Sequence, residues 1–201
     1  MSDSTSIESQ APPLSAGGAS AAARDAATTA EDATAAVEDT TAVAPRAPSW
    51  HVRAASHEDV AAVVAAVGAL LVELGGTPPP APEMEQTARA LLDDPRAGAL
   101  FVAVAGGENV VGLLSASWQT AIHVPGRYAL IQDVWVHPSW RGLAVGGELL
   151  GAIFALAREQ GVARVEVGLP RESFAGIRAT ESFYLHNGFE RLGTRMRRVL
   201  S

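Results

Sequence analysis

The stretch "WVHPSWRGLAVGGELL", Trp135 to Leu150, decides how this chain is read. An extended apolar run leads into it and an apolar run of helical character leads out. Between them sit Arg141, Gly142, Ala144, Gly146 and Gly147. Glycine is costly inside regular structure, so a cluster of glycines at a strand-to-helix turn marks a place where something approaches the backbone closely. The N-terminus of a helix presents unpaired N–H groups and a partial positive charge, which together bind anions, phosphates above all. Two phosphate loops are ruled out. A P-loop ends in Gly-Lys-Ser/Thr, and the chain has no lysine. The dinucleotide fingerprint G-x-G-x-x-G does not match the spacing, and several strands already precede the turn.

Working outward, the chain falls into two regions. Residues 1–48 are built from Ala, Ser, Thr, Pro, Asp and Glu, with no aromatic residue before Trp50. Seven acids face two arginines there, so this segment carries −5 of the formal net charge of −7. It buries too little apolar surface to offset its ordering entropy, and is expected to be a disordered acidic tail. The domain is expected over 49–201. "WHVRAAS" reads as a strand. "SHEDVAAVVAAVGALLVEL" reads as a helix with Ser56 as cap and Val60, Val63, Val64, Val67, Leu71 and Leu74 at helical spacing. A second helix follows the "TPPPAP" connector, over about 83–92. "ALFVAVAGGENVVGLLSASW" gives two strands around a Gly-Gly-Glu-Asn turn, and "YALIQDVWVHP" a third that stops at Pro138. After the glycine turn come a helix to about Gln160, the strand "ARVEVGL", a helix ending near Gly188 and a final strand in "FERLGTRMRRVL". This order predicts an α/β fold, with a mixed sheet and helices on both faces.

Composition narrows the function. The acidic balance argues against nucleic acid as the main partner. The absence of cysteine excludes disulfides, thiolate metal sites and a cysteine nucleophile, and no metal site is expected. No apolar run reaches the 18–20 residues or so that span a bilayer, and no secretory signal is recognised, so no membrane partner and a cytoplasmic location are expected.

The glycine turn resembles the acyl-CoA-binding segment of the GCN5-related N-acetyltransferase (GNAT) superfamily, R/Q-x-x-G-x-G/A after a strand. Arg141, Ala144 and Gly146 fill its marked positions. Ala144 stands where glycine is usual, and a slightly tighter fit with weaker binding is expected, the site being kept. A second block, "ATESFYLHNGFERLG", is similar to the family's C-terminal segment, with Phe183, Tyr184, Gly188 and Phe189 in place. Ile177 stands where that segment commonly begins with Asn, and the loop "PRESFAGIR" is longer than usual. The resemblance covers about 50–200 and implies a strongly twisted mixed sheet of six to seven strands.

The resemblance also implies direct acetyl transfer from acetyl-CoA to a primary amine, on a small molecule or a protein N-terminus, without a covalent enzyme intermediate. It assigns pantetheine to the backbone of Val134, Trp135 and Val136. It assigns the pyrophosphate to the segment Arg141, Gly142, Leu143, Ala144, Val145, Gly146 and Gly147, with the Arg141 side chain as an assistant. Val134 or its neighbour would supply an oxyanion donor. Tyr184 matches the general acid. For the base, Asp133 is the ionisable candidate; Gln132 lies where some relatives have glutamate and cannot act as one. A one-residue bulge would decide which of the two faces the site. Glu166 and His123 are further candidates, and His137 is assigned to the turn. Glu73, Glu83 and Glu85 are candidates for attracting a cationic amine, and Trp118 is expected to pack on the sheet. Two readings compete with catalysis: a CoA-binding module used for sensing or partner contact, and an interaction protein driven by its tail. A homodimer is compatible with the family, and the oligomeric state stays open.

Overall fold

The computed structural model describes residues 49–193. The expected tail (1–48) and the end of the expected last strand (194–200) lie outside the described residues. Strand β1 (Trp50–Ala54) leads through a 3-10 turn (His57–Asp59) into α1 (Val60–Glu73), followed by α2 (Ala81–Asp93). Strands β2 (Gly98–Ala105), β3 (Asn109–Ala121) and β4 (Val124–Val136) come next. A 3-10 turn (Pro138–Trp140), α3 (Val145–Glu159), β5 (Val165–Val167) and α4 (Ile177–His186) complete the order.

The start of α1 is tied locally and at long range. The Asp59 carboxylate accepts from the Ser56 backbone N–H at 2.7 Å and the Ser56 hydroxyl at 3.0 Å. Arg53 of β1 grips the same carboxylate with two nitrogens, at 2.7 and 2.9 Å. The guanidinium beside it holds the Asp59 carboxyl down at about 2, against burial that pushes the other way.

Five strands form one sheet in the order β1-β2-β3-β4-β5, antiparallel except for the parallel pair β4–β5. Six or seven strands were expected. The stretch 189–193, assigned from sequence to the last strand, carries none. Alternate residues of a strand point to opposite faces. Val102 and Val104 join a cluster with Val60, Val63 and Ala88 of α1 and α2. Ala103, Ala105, Leu114 and Ala116 join another with Leu149, Leu150 and Ile153 of α3. Each valine, leucine or isoleucine among them, taken fully out of water, contributes about 1.5–3 kcal/mol. Gly112 lets α3 sit close, since a Cβ there would stand 2.9 Å from Val145 Cγ1. Among the described residues no helix is long and apolar enough to cross a membrane.

Candidate functional site

Strands β4 and β5 pair only from Ala129↔Val165 to Ile131↔Val167. β4 runs on to Val136 without β5 beside it, so the sheet opens there. The ladder with β3 settles which backbone groups line the opening. His137 N–H donates to Val111 O at 2.9 Å. In an antiparallel ladder bonded and non-bonded pairs alternate, so Trp135 and Asp133 spend their backbone groups on Leu113 and Ser115. Those of Val134 and Val136 turn the other way, into the opening. Val136 O confirms the direction by accepting from Arg141 Nε at 3.0 Å. Val134 and Val136 therefore present backbone to the opening, whereas Trp135 contributes its buried side chain, edge-on to His137 with ring centroids 5.8 Å apart.

Past the opening the chain makes the glycine turn. Arg141 N–H donates to Pro138 O, and the next backbone donor with a protein acceptor is Glu148, to Ala144 O. Among the described residues the N–H groups of Gly142 through Gly147 have no such acceptor. Gly142 has φ +78° and Ala144 φ +63°, both left-handed. That folds the turn back and aims the donors outward at the start of α3. The site thus fits an anionic, strand-like ligand such as acyl-CoA: unpaired strand edge first, then a row of helix-start donors. Gly146 has a packing role too, because a Cβ there would stand 3.0 Å from Phe183 Cζ of α4.

The Arg141 side chain is engaged elsewhere. Its Nη1 and Nη2 reach the two oxygens of Glu73, at the end of α1, at 2.9 and 2.7 Å. Glu73, considered from sequence as bait for a cationic amine, is thereby the anchor of the turn. His137 accepts from Ser139 N–H at 3.3 Å, consistent with its assignment to the turn.

The bulge that sequence left undecided is present. Ser115 pairs with Asp133 and the next residue, Ala116, with Ile131, which leaves Gln132 as the extra residue of β4. Gln132 and Asp133 both turn to the Ser115–Ser117 side of the sheet. Gln132 Nε2 donates to Ser117 Oγ at 2.8 Å, and the Ser115 hydroxyl donates to Asp133 Oδ2 at 2.5 Å. Leu113 and Trp135 lie on this same side against Ala66 of α1.

Tyr184 comes from the other side. It is buried in the cluster of Val145 and Leu149, with Phe183 and Phe189 edge-on at 5.2 and 5.3 Å. Desolvation pushes its phenol up to about 12. Gly188, at φ +82°, stops the helix and turns Phe189 back onto Tyr184.

The other candidates are spread over the fold. His123 lies at the β3–β4 hairpin tip, ten residues before Asp133 along β4, or about 30 Å of extended strand. Glu166 pairs in register with Leu130, itself the partner of Ser117, so it shares the side of Gln132 and Asp133, 3.7 Å from Arg164. Glu85 lies on α2 in a shallow surface depression with Gln86 and Arg89, and Glu83 is in the first turn of that helix. Trp118 packs, its Nε1 donating to Pro95 O at 3.0 Å, with Arg127 over its ring. Sequence reasoning passed over Ser115, Ser117 and Gln119. The signal was there, as polar residues at every second place of an otherwise apolar strand. No group of side chains able to hold a metal ion occurs among the described residues.

Comparison with known proteins fits this geometry. The profile of the acetyltransferase (GNAT) family matches residues 69–189. No curated protein matches the sequence. Solved structures share the fold at low identity. An aminoglycoside N-acetyltransferase in complex with CoA is 16% identical, with TM-score 0.64 over 79% of this chain and 99% of that one. A Clostridium acetobutylicum protein solved with acetyl-CoA is 15% identical, with TM-score 0.61 over 75% and 96%. Glucosamine-6-phosphate N-acetyltransferase from Arabidopsis thaliana is 14% identical, with TM-score 0.60 over 76% and 99%.

Proposed function

The chain belongs to the acetyltransferase (GNAT) family, and we propose that it transfers an acetyl group from acetyl-CoA directly to a primary amine, of a small molecule or a protein N-terminus, in the cytoplasm. The domain over 49–201 carries the reaction and residues 1–48 are a tail to it. One observation supports this above the rest: the unpaired edge of β4 at Val134 and Val136 leads straight to the open N–H donors of Gly142 through Gly147.

Acetyl-CoA supplies an activated thioester. The chain's residues divide the remaining work. The donors of 142–147 bind pyrophosphate, and the edge of β4 aligns the pantetheine arm as an added strand. Val134 N–H points into the opening, where it stabilises negative charge growing on the carbonyl oxygen. Asp133 has Oδ2 held by Ser115, which leaves Oδ1 to accept a proton from the incoming ammonium. Tyr184, neutral across the physiological range, donates toward the departing sulfur, and the second proton shed by the acylated nitrogen restores the phenol. A phenol near 12 is a weak acid, but the desolvation that raises it also raises the basicity of a thiolate beside it, so the two stay matched.

The test is thiol release from acetyl-CoA in the presence of primary amines. Amine-dependent release, cut about a hundredfold in Tyr184→Phe, supports the reading. Acetyl-CoA binding with no release across a broad amine panel contradicts it and favours a sensing module.

A further inference from the structure

One side of the sheet breaks the apolar rule beside the reaction centre. After Leu113 on β3 come Ser115, Ser117 and Gln119; their partners on β4 are Asp133, Leu130 and Tyr128, and the bulge residue Gln132 reaches Ser117. Gln132 is exposed, and Ser117, Gln119 and Asp133 are only half-buried, so this stripe is open to solvent. It starts one residue from Val134, whose N–H faces the opening. Leu91 of α2 walls it, reaching over Gly98, the register partner of Ser117.

The hydrogen bonds inside the stripe fix what it offers outward. Ser117 Oγ accepts from Gln119 Nε2 at 2.9 Å and from Gln132 Nε2 at 2.8 Å. A hydroxyl oxygen has two lone pairs, and here two amides take them. Both amide groups are thereby held with nitrogen inward, which leaves both Oε1 atoms as outward acceptors. Asp133 adds Oδ1, since Oδ2 holds the Ser115 hydroxyl. The stripe is a short row of acceptor oxygens with the Asp133 carboxylate at one end.

The geometry points to an acceptor amine that bears hydroxyl groups on neighbouring carbons, with Gln119 and Gln132 as specificity residues and Ser117 as the positioning residue that orients both amides. The inference rests on the acyltransferase reading above and deepens it. A hydroxyl donates to an Oε1 where an alkyl chain would leave that oxygen desolvated and unpaired. An anionic substituent would meet Asp133 and be turned away.

The test compares two amines of one carbon skeleton, hexylamine and its pentahydroxy counterpart glucamine, on the full chain and on Gln119→Leu, Gln132→Leu and Ser117→Ala. Each glutamine variant is expected to lose about tenfold in kcat/KM for glucamine, mostly through KM, with hexylamine changed less than about twofold. Ser117→Ala is expected to lower the glucamine-to-hexylamine ratio in the same direction, which general loosening of the strand would not do. A ratio unchanged in both glutamine variants overturns the inference and leaves acyl transfer standing. No release by the unaltered chain with glucamine, while another primary amine is turned over, also overturns the inference; no release with any amine of a broad panel removes the underlying reading as well.

Discussion

Arg141 and Glu73 form a two-pronged ion pair, 2.9 and 2.7 Å, between the glycine turn and the end of α1. The same guanidinium donates through Nε to Val136 O, so it joins three elements. Its charge is engaged in fixing the turn, and on the proposed reading the pyrophosphate is left to the backbone donors.

Glu73→Gln is therefore expected to weaken acetyl-CoA binding, not strengthen it. The pair is half-exposed, with side chains 46% and 35% accessible, so solvent screening limits it to about 1 kcal/mol, or about fivefold in Kd. Arg141→Ala should cost more, because it also loses the bond to Val136. Titration calorimetry on both variants and the double variant measures the coupling. Tighter binding in Glu73→Gln would mean that Glu73 competes with the ligand for Arg141.

Ala144 holds φ +63° at the start of α3. An L-residue pays about 1 kcal/mol or more there, and glycine pays little. Ala144→Gly is expected to raise the midpoint of thermal unfolding by about 2–4 °C, with acetyl-CoA affinity kept or improved. A lower midpoint would contradict the strained turn.

Buried Tyr184 predicts behaviour in alkali. Its folded value of about 12 lies above the ordinary 10, so the native state holds its proton longer than the unfolded chain does. Its contribution is fully present below pH 10 and is lost between about 10 and 12, amounting to about 2–3 kcal/mol. Denaturant titrations at stepped pH should show this fall, and Tyr184→Phe should flatten it. For the same reason kcat should show no descending limb from Tyr184 below pH 10.

Asp59 predicts the acid side. Its carboxyl is lowered from 3.8 to about 2, so its contribution is complete above pH 3.8 and is lost as pH falls through about 2. The size is about 2 kcal/mol. Asp59→Asn should remove that at neutral pH and flatten the acid limb, with acetyl-CoA affinity unchanged. Retention of the acid limb would assign it to other carboxylates.

Local chemistry made much of this legible. The periodicity of Val60, Val63 and Val67, the glycine turn and the Phe183–Phe189 block put the elements in order and pointed to the family. Element ends were less legible. β4 begins at Val124, earlier than the expected Tyr128, because hairpin pairing extends to Ala121↔Val124, and β5 shrinks to Val165–Val167 where it parts from β4. The rest depends on long-range register. Whether Gln132 or Asp133 faces the Ser115–Ser117 side turned on a bulge beside Ser115, and both do. The partner of Arg141 lies 68 residues away, beyond any local pattern. The left-handed backbone at Ala144 leaves no trace in a residue type that usually avoids it.

The most direct test of the central claim is amide hydrogen exchange with and without acetyl-CoA. Slowed exchange at Val134, Val136 and Gly142 through Gly147, with α2 unchanged, is the predicted result. Unchanged exchange along that path under saturating acetyl-CoA would contradict the account.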